Sequence, residues 1–179
     1  MKKLHLGCAN RHLEGYINID IRPGNGVDVV ADIRKLDFEP GSVDVIYNCA
    51  VLEHFGRHEW FDILKGWTDL LKPNGKMYIS TTSFDAIVER YKKSKNLEEL
   101  LGFLIGGQKY EYDFHGMVFN LDILTKAMQS LGFKNIQEYD WREHDVGLQG
   151  LDDYSQAYLP HMDKENGALM VLNISGIKA

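Results

Sequence analysis

An α/β domain built on a mostly parallel sheet is what this 179-residue sequence predicts, and three observations predict it. Short apolar runs recur through the first half, at Leu4-His5-Leu6, Ile17-Asn18-Ile19, Val27 to Ala31 and Val43 to Tyr47. Each run stops at a small-residue turn or a polar side chain: Gly7-Cys8-Ala9-Asn10, Asp20, Asp32 and Asn48. A helix-spaced stretch then precedes the next apolar run, the alternation that gives crossover connections between parallel strands. In an open parallel sheet, ligands bind outside the carboxyl ends of the strands, where these turns and acids stand.

The elements follow in order. Strands are expected at Leu4 to Gly7, Ile17 to Asp20, Val27 to Asp32 and Ser42 to Asn48. The connections 8–16 and 21–26 are too short for full helices, so this half of the sheet must be pared down. From Arg57 to Leu71, apolar residues recur as Trp60, Phe61, Leu64, Trp67, Leu70 and Leu71, which is helical spacing with one buried face. Pro73-Asn74-Gly75 stops that helix, and Lys76 to Thr81 forms the fifth strand. Helices are expected at Phe84 to Tyr91, Leu97 to Ile105 and Leu121 to Leu131, the last capped by Gly132. Phe133 to Tyr139 and Leu169 to Ile177 supply the remaining strands. Two segments, about 84–118 and 141–167, read as insertions within a single domain spanning 1–179.

Composition narrows the classes of function. Hydrophobic residues make up 44% and charged residues 26%, the balance of a globular domain with a substantial core. No apolar run reaches the roughly 20 residues of a membrane span, and Met1-Lys2-Lys3 leads straight into a strand; a cytoplasmic protein is expected. The net charge of −6 disfavours a nucleic-acid partner, which would call for a basic stripe. The basic cluster Arg90 to Lys95 reads as a solvated helix end. Cys8 and Cys49 are expected to be reduced, semi-buried thiols. No feature sets an oligomeric state.

The ordered set LHLGCAN, INID, VVADIRKLDF, SVDVIYNCAVLEHF, LLKPNGKMYIS and LTKAMQSLGFKNI resembles the class I S-adenosylmethionine-dependent methyltransferases over roughly residues 3 to 140. The chain is most similar to small bacterial members that open with LHLGCG, many of which accompany surface-polysaccharide genes. The resemblance implies a Rossmann-like three-layer sandwich whose last strand is antiparallel, with a trimmed N-terminal lobe. It also implies S-adenosylmethionine (SAM) as cofactor and S-adenosylhomocysteine (SAH) as product. Two residues depart from the pattern: His5 stands where an acid is usual, and Ala9 where a second glycine is usual. Alanine is a modest loss there if its φ stays negative.

Carried over residue by residue, the resemblance places His5, Gly7, Cys8 and Asn10 against the cofactor. Asp20, with Ile21 beside it, would hold the ribose hydroxyls, because a carboxylate accepts two protons at once. Asp32 would accept from the adenine amine, Ile33 would offer its NH and an apolar face, and Asn48 would lie under the methionyl end. The bland alternatives are a turn-forming Asp20 and a helix-capping Asp32. His54 is the leading catalytic candidate and His115 the second. The alternatives are a structural histidine bonded to a loop backbone and an aromatic flap packed on the core. His144, Tyr154, Tyr158 and His161 are further substrate-contact candidates. His54 and His58 have the spacing of metal ligands on a helix face, with Glu53 and Glu59 nearby, but His54 precedes the helix and no third ligand has a convincing spacing, so no metal is expected.

The resulting expectation is methyl transfer to a small-molecule acceptor, at oxygen rather than nitrogen, on a sugar or another precursor of a surface or capsule polysaccharide. A non-catalytic SAM- or SAH-binding protein is one rival. A nicotinamide-dependent oxidoreductase is the other, disfavoured because no GxGxxG turn opens a full helix.

Overall fold

The computed structural model describes residues 1–142 and 151–179. In chain order the elements are β1 (Lys3–Leu6), β2 (Ile17–Asp20), β3 (Val29–Val30), β4 (Val43–Cys49), α1 (Trp60–Leu70), β5 (Leu71–Thr82), α2 (Phe84–Ser94), α3 (Leu101–Ile105), α4 (Leu121–Ser130), β6 (Phe133–Glu138), β7 (Tyr158–Leu159), β8 (Ala168–Leu169) and β9 (Val171–Lys178). Seven strands form one sheet in the order β3-β2-β1-β4-β5-β9-β6. β9 runs antiparallel between β5 and β6, while β1 to β5 pair in parallel, so the expected Rossmann-like architecture with an antiparallel last strand is present. β7 and β8 form a separate small hairpin inside the late insertion.

The helix-spaced residues of α1 and α4 bury one face of the sheet. Leu64, Trp67, Leu124 and Met128 pack with Leu4, Leu6, Ile46, Met77 and Ile79. Trp67 also donates its indole N–H to the Ile33 carbonyl at 2.8 Å, tying the helix to the loop after β3. The trimmed lobe shows on the other face, where Leu13, Tyr16 and Leu151 cover Val45, Tyr47 and Tyr78 with coil. Asn18 organises that coil in place of a helix. Its Oδ1 accepts from Leu13 N at 2.8 Å, and its Nδ2 donates to Leu13 O and Tyr16 O, both at 3.2 Å, and to Asp28 Oδ2 at 2.9 Å.

Several boundaries differ from expectation for identifiable reasons. The third strand shrinks from Val27–Asp32 to two exposed residues, Val29–Val30, because it is an edge with one neighbour. At its start the Asp28 carboxylate, rather than a backbone carbonyl, accepts from Asn18 N at 2.8 Å. α1 begins at Trp60 because Glu59 folds back on Gly56 N at 3.2 Å, and it ends at Leu70, with Leu71 already extended. β5 therefore runs through Pro73-Asn74-Gly75, with a register shift against β4 at that point. α2 continues to Ser94, where Lys95 takes a left-handed cap. The predicted 97–105 helix divides into a 3₁₀ turn, Glu98–Leu100, and α3.

Candidate active site

The carboxyl ends of β1, β2, β4 and β5 open onto one cavity of about 790 Å³. Gly7 begins one wall of it with φ +68°, a left-handed conformation that favours glycine. A Cβ there would stand 2.3 Å from Val51 Cγ2, so the β1 turn and the segment after β4 touch too closely for any side chain. Ala9 also has a positive φ, +48°, which corrects the expectation that alanine keeps a negative φ here. For a residue with a Cβ this costs roughly 1–2 kcal/mol. What holds it is Asp20, whose Oδ2 accepts from Ala9 N at 2.8 Å.

Asp20 is 6% exposed, and its Oδ1 accepts from Arg22 N at 2.9 Å. An ionised carboxylate has about four lone-pair sites. Two remain for a ligand's hydroxyl protons, so the residue fits a ribose. Asp32 differs. Arg34 Nε lies 2.9 Å from both of its oxygens, with Arg34 Nη2 2.7 Å from Oδ2. That pairing holds the Asp32 carboxyl below the usual carboxylate range. Such a solvent-facing ion pair is worth about 0–1 kcal/mol, so a ligand amine can displace it at small cost.

His5, Cys8, Asn10, Ile21 and Ile33 also lie on the cavity wall. The His5 ring is 3% exposed, and its Nδ1 is 2.9 Å from Asn18 Oδ1. Because that amide oxygen can only accept, Nδ1 carries the hydrogen. Burial lowers the His5 pKa and pushes the Cys8 thiol up to about 12. Both cysteines are free and buried. Asn48 is not on the wall. It is fully buried, donates to Tyr78 O at 3.2 Å, and leaves its Oδ1 without a hydrogen-bond partner among the described residues.

The second part of the wall is built by the 3₁₀ turn Leu52–His54, the end of β5 and the flap after α3. The structure brings His54 and His115 together, their rings 4.9 Å apart edge to face. His54 Nδ1 lies 3.1 Å from the Phe114 carbonyl and His115 Nδ1 lies 3.0 Å from the Phe103 carbonyl. Carbonyls accept only, so each neutral ring carries its hydrogen on Nδ1 and keeps a lone pair on Nε2. Burial lowers the His115 pKa despite the opposing charge of Glu53, which favours that neutral form. Both histidines thus make the backbone bonds of the structural alternative while presenting a basic nitrogen to their surroundings.

Several wall residues escaped the sequence reading. Arg22 lies 3.7 Å from Asp20 and stacks 4.2 Å over the Tyr110 ring, linking the floor to the flap. Asp153 reaches back from the late insertion to accept from Tyr47 OH at 2.5 Å. Glu53 is 2% exposed between two histidine-bearing segments. In the sequence it stood out only as a neighbour of His54, flanked by Val51-Leu52 and Phe55. Among the other candidates, Tyr154 lines the cavity, whereas Tyr158 is turned toward Trp141 and Arg142. His161 is not on the wall, and His144 lies outside the described residues. Among the described residues, no group of three or more His, Cys, Asp or Glu is arranged to hold a metal ion. Nor is any helix among them long and apolar enough to cross a membrane.

Residues 7–79 match a family model described as a methyltransferase domain. That stretch includes Gly7, Asp20, Asp32 and His54, but ends before His115. No curated protein matches the sequence. Among solved structures, the CurJ carbon methyltransferase is 17% identical with a TM-score of 0.58, covering 100% of this chain and 48% of that one. The present chain therefore spans about half the length of that structure. The 1,6-didemethyltoxoflavin-N1-methyltransferase of Burkholderia thailandensis, solved with 1,6-didemethyltoxoflavin and SAH, is 13% identical, with a TM-score of 0.56 and coverage of 99% and 71%. A SAM-dependent methyltransferase of Thermotoga maritima, described as a possible histamine N-methyltransferase, is 13% identical, with a TM-score of 0.59 and coverage of 99% and 82%. At these identities the likeness is one of fold. The match over residues 7–79 and the shared fold are both with methyltransferase domains, and one of these solved structures holds SAH.

Proposed function

We propose that this methyltransferase domain transfers the methyl group of SAM to an oxygen of a small hydroxyl-bearing acceptor, a sugar or another precursor of a surface polysaccharide. The observation that carries the reading is the pair of histidines with Nδ1 anchored to carbonyls, lining the same cavity as Gly7 and Asp20. Asp20 and the Gly7–Asn10 turn would hold the nucleoside, with Ile21 and Ile33 beside the base. When bound, SAM supplies an electrophilic methyl on sulfur. That methyl would pass to the acceptor oxygen, the sulfur keeping the electron pair of the carbon–sulfur bond. His54 Nε2 takes the hydroxyl proton, the task of a general base whose other nitrogen is fixed by a hydrogen bond. The net charge of −6 supports a small molecule over a nucleic acid as acceptor. The surface-polysaccharide assignment rests on the sequence resemblance.

The test pairs calorimetry with transfer of radiolabelled methyl from SAM to sugar nucleotides and phosphorylated capsule precursors. Expected are SAH binding, label transfer, and a loss of about 10²- to 10⁴-fold in rate for His54→Gln at unchanged SAH affinity. Binding of SAM without turnover on any of these acceptors would favour the non-catalytic rival instead.

A further inference from the structure

Glu53 is the buried group that the proposed chemistry leaves unused. It is 2% exposed and borders the cavity, yet among the described residues its Oε2 has no hydrogen-bond partner. Its Oε1 has one contact, Thr82 Oγ1 at 3.5 Å, the outer limit of a hydrogen bond. A charge removed from water is tolerated when it is paired and hydrogen-bonded, because desolvation costs several kcal/mol per ion. The cavity's arginines are committed elsewhere: Arg22 to Asp20, Arg34 to Asp32 and Arg11 to Asp152. Lys109 is an exposed residue of the flap. His115 already spends its Nδ1 on the Phe103 carbonyl at 3.0 Å, and burial lowers its pKa. The position of Glu53 is nonetheless clamped, since its backbone carbonyl accepts from Gly116 N at 2.8 Å and Met117 N at 3.2 Å. A fixed, buried, unpartnered carboxylate on a cavity wall is a place prepared for a ligand's donor. Thr81, 1% exposed on the same wall, also has a hydroxyl without a partner among the described residues.

We infer that Glu53 anchors the methyl acceptor through a protonated amine, so that the substrate is an amino alcohol or amino sugar whose neighbouring hydroxyl faces His54. This rests on the methyl-transfer reading above and specifies its acceptor. An ammonium supplies three donors and a full positive charge, whereas a hydroxyl supplies one donor and no charge. Only the ammonium offsets the desolvation of the carboxylate while also satisfying its free lone pairs. The wall is otherwise rich in acceptors: the Nε2 atoms of His54 and His115 both carry lone pairs. A ligand bearing an ammonium and an adjacent hydroxyl complements that set, and the hydroxyl is the group left for the base.

The experiment uses isosteric pairs, ethanolamine against ethylene glycol and D-glucosamine against D-glucose. Each is titrated into SAH-loaded protein by calorimetry and by NMR of the His54 and His115 imidazole signals. The expected result is that the amine of each pair binds at least tenfold tighter than its hydroxyl analogue and shifts both imidazoles. Glu53→Gln brings each pair within twofold while SAH affinity stays as in the wild type. Glu53→Asp, which keeps the charge, retains the preference at weaker affinity and serves if the glutamine variant does not fold. Equal binding of both members, binding of neither by protein that holds SAH, or an undiminished preference in Glu53→Gln would overturn the inference. A fall in SAH affinity in that variant would assign the carboxylate to the cofactor and overturn it equally. Failure of the wild type to bind SAH at all, visible before any amine is added, would instead defeat the methyl-transfer reading on which the inference stands.

Discussion

Asp20→Asn is the substitution on which the cofactor side stands or falls. The two oxygens of Asp20 accept from Ala9 N at 2.8 Å and from Arg22 N at 2.9 Å. An amide replaces one of those acceptors with an NH₂, so one backbone N–H is left facing a donor. Each bond is charge-assisted and sits at a residue only 6% exposed, which puts the loss at about 1.5–3 kcal/mol. If the lost partner is Ala9, its positive φ also loses the contact that holds it, and the turn relaxes away from the ligand. At roughly 2–4 °C per kcal/mol for a domain of this size, the melting temperature should fall by about 3–12 °C. SAH affinity should drop by about 10- to 150-fold, since every 1.4 kcal/mol is tenfold. Calorimetry with SAH and a thermal melt read the two effects separately. Asp32→Ala is the contrast, because its solvent-facing pairing with Arg34 contributes under about 1 kcal/mol to folding. An Asp20→Asn protein that melts with the wild type and binds SAH within twofold of it would refute the assignment.

Three further outcomes are expected. Gly7→Ala combines a left-handed φ with a Cβ 2.3 Å from Val51 Cγ2, for a loss of about 2–4 kcal/mol in urea denaturation. Adding Val51→Ala should remove the steric part of that penalty, and an unchanged penalty would locate the strain elsewhere. Burial lowers the His5 pKa from 6.5, so as pH falls below that value the unfolded chain binds a proton that the folded chain refuses. Stability should then decline on acidification by at most about 1.4 kcal/mol per pH unit from this group, and His5→Gln should flatten the decline in denaturation curves collected across roughly pH 5 to 8. Cys8 is pushed up to about 12 and Cys49 well above its ordinary value, both chiefly by burial. Neither thiol of the folded protein should therefore label with a maleimide near neutral pH, and a mass shift in the intact protein would contradict this.

What could be read from the residues alone was whatever depends on neighbours close in the chain. Alternating and helix-spaced apolar residues set β1, β2, β4, α1 and α4, because burial of one face is written at periods of two and 3.6. The acids at strand ends and the glycine turn were visible for the same reason. The shortness of the segments after β1 and β2 foretold a pared lobe, since no crossover helix fits there. The boundary of β3 was not legible, because an edge strand's length depends on its single partner and on the carboxylate of Asp28 reaching Asn18.

Other matters belonged to the tertiary structure. Which lone pairs of Asp20 and Asp32 remain free depends on Ala9 and Arg34, and no periodicity encodes that. Asn48 sits beneath the cavity rather than in its wall because the twist and register of β4 against β5 turn its side chain toward Tyr78. The flap carries His115 to within 4.9 Å of His54 across a long stretch of sequence, and Glu53 acquires its isolation only once the coil closes around it. The sequence by itself thus determined which elements form and where polar groups end them, through local sterics and one-sided burial. The tertiary structure alone decided which of those polar groups are satisfied and which are left for a ligand, because desolvation and pairing are properties of the assembled cavity.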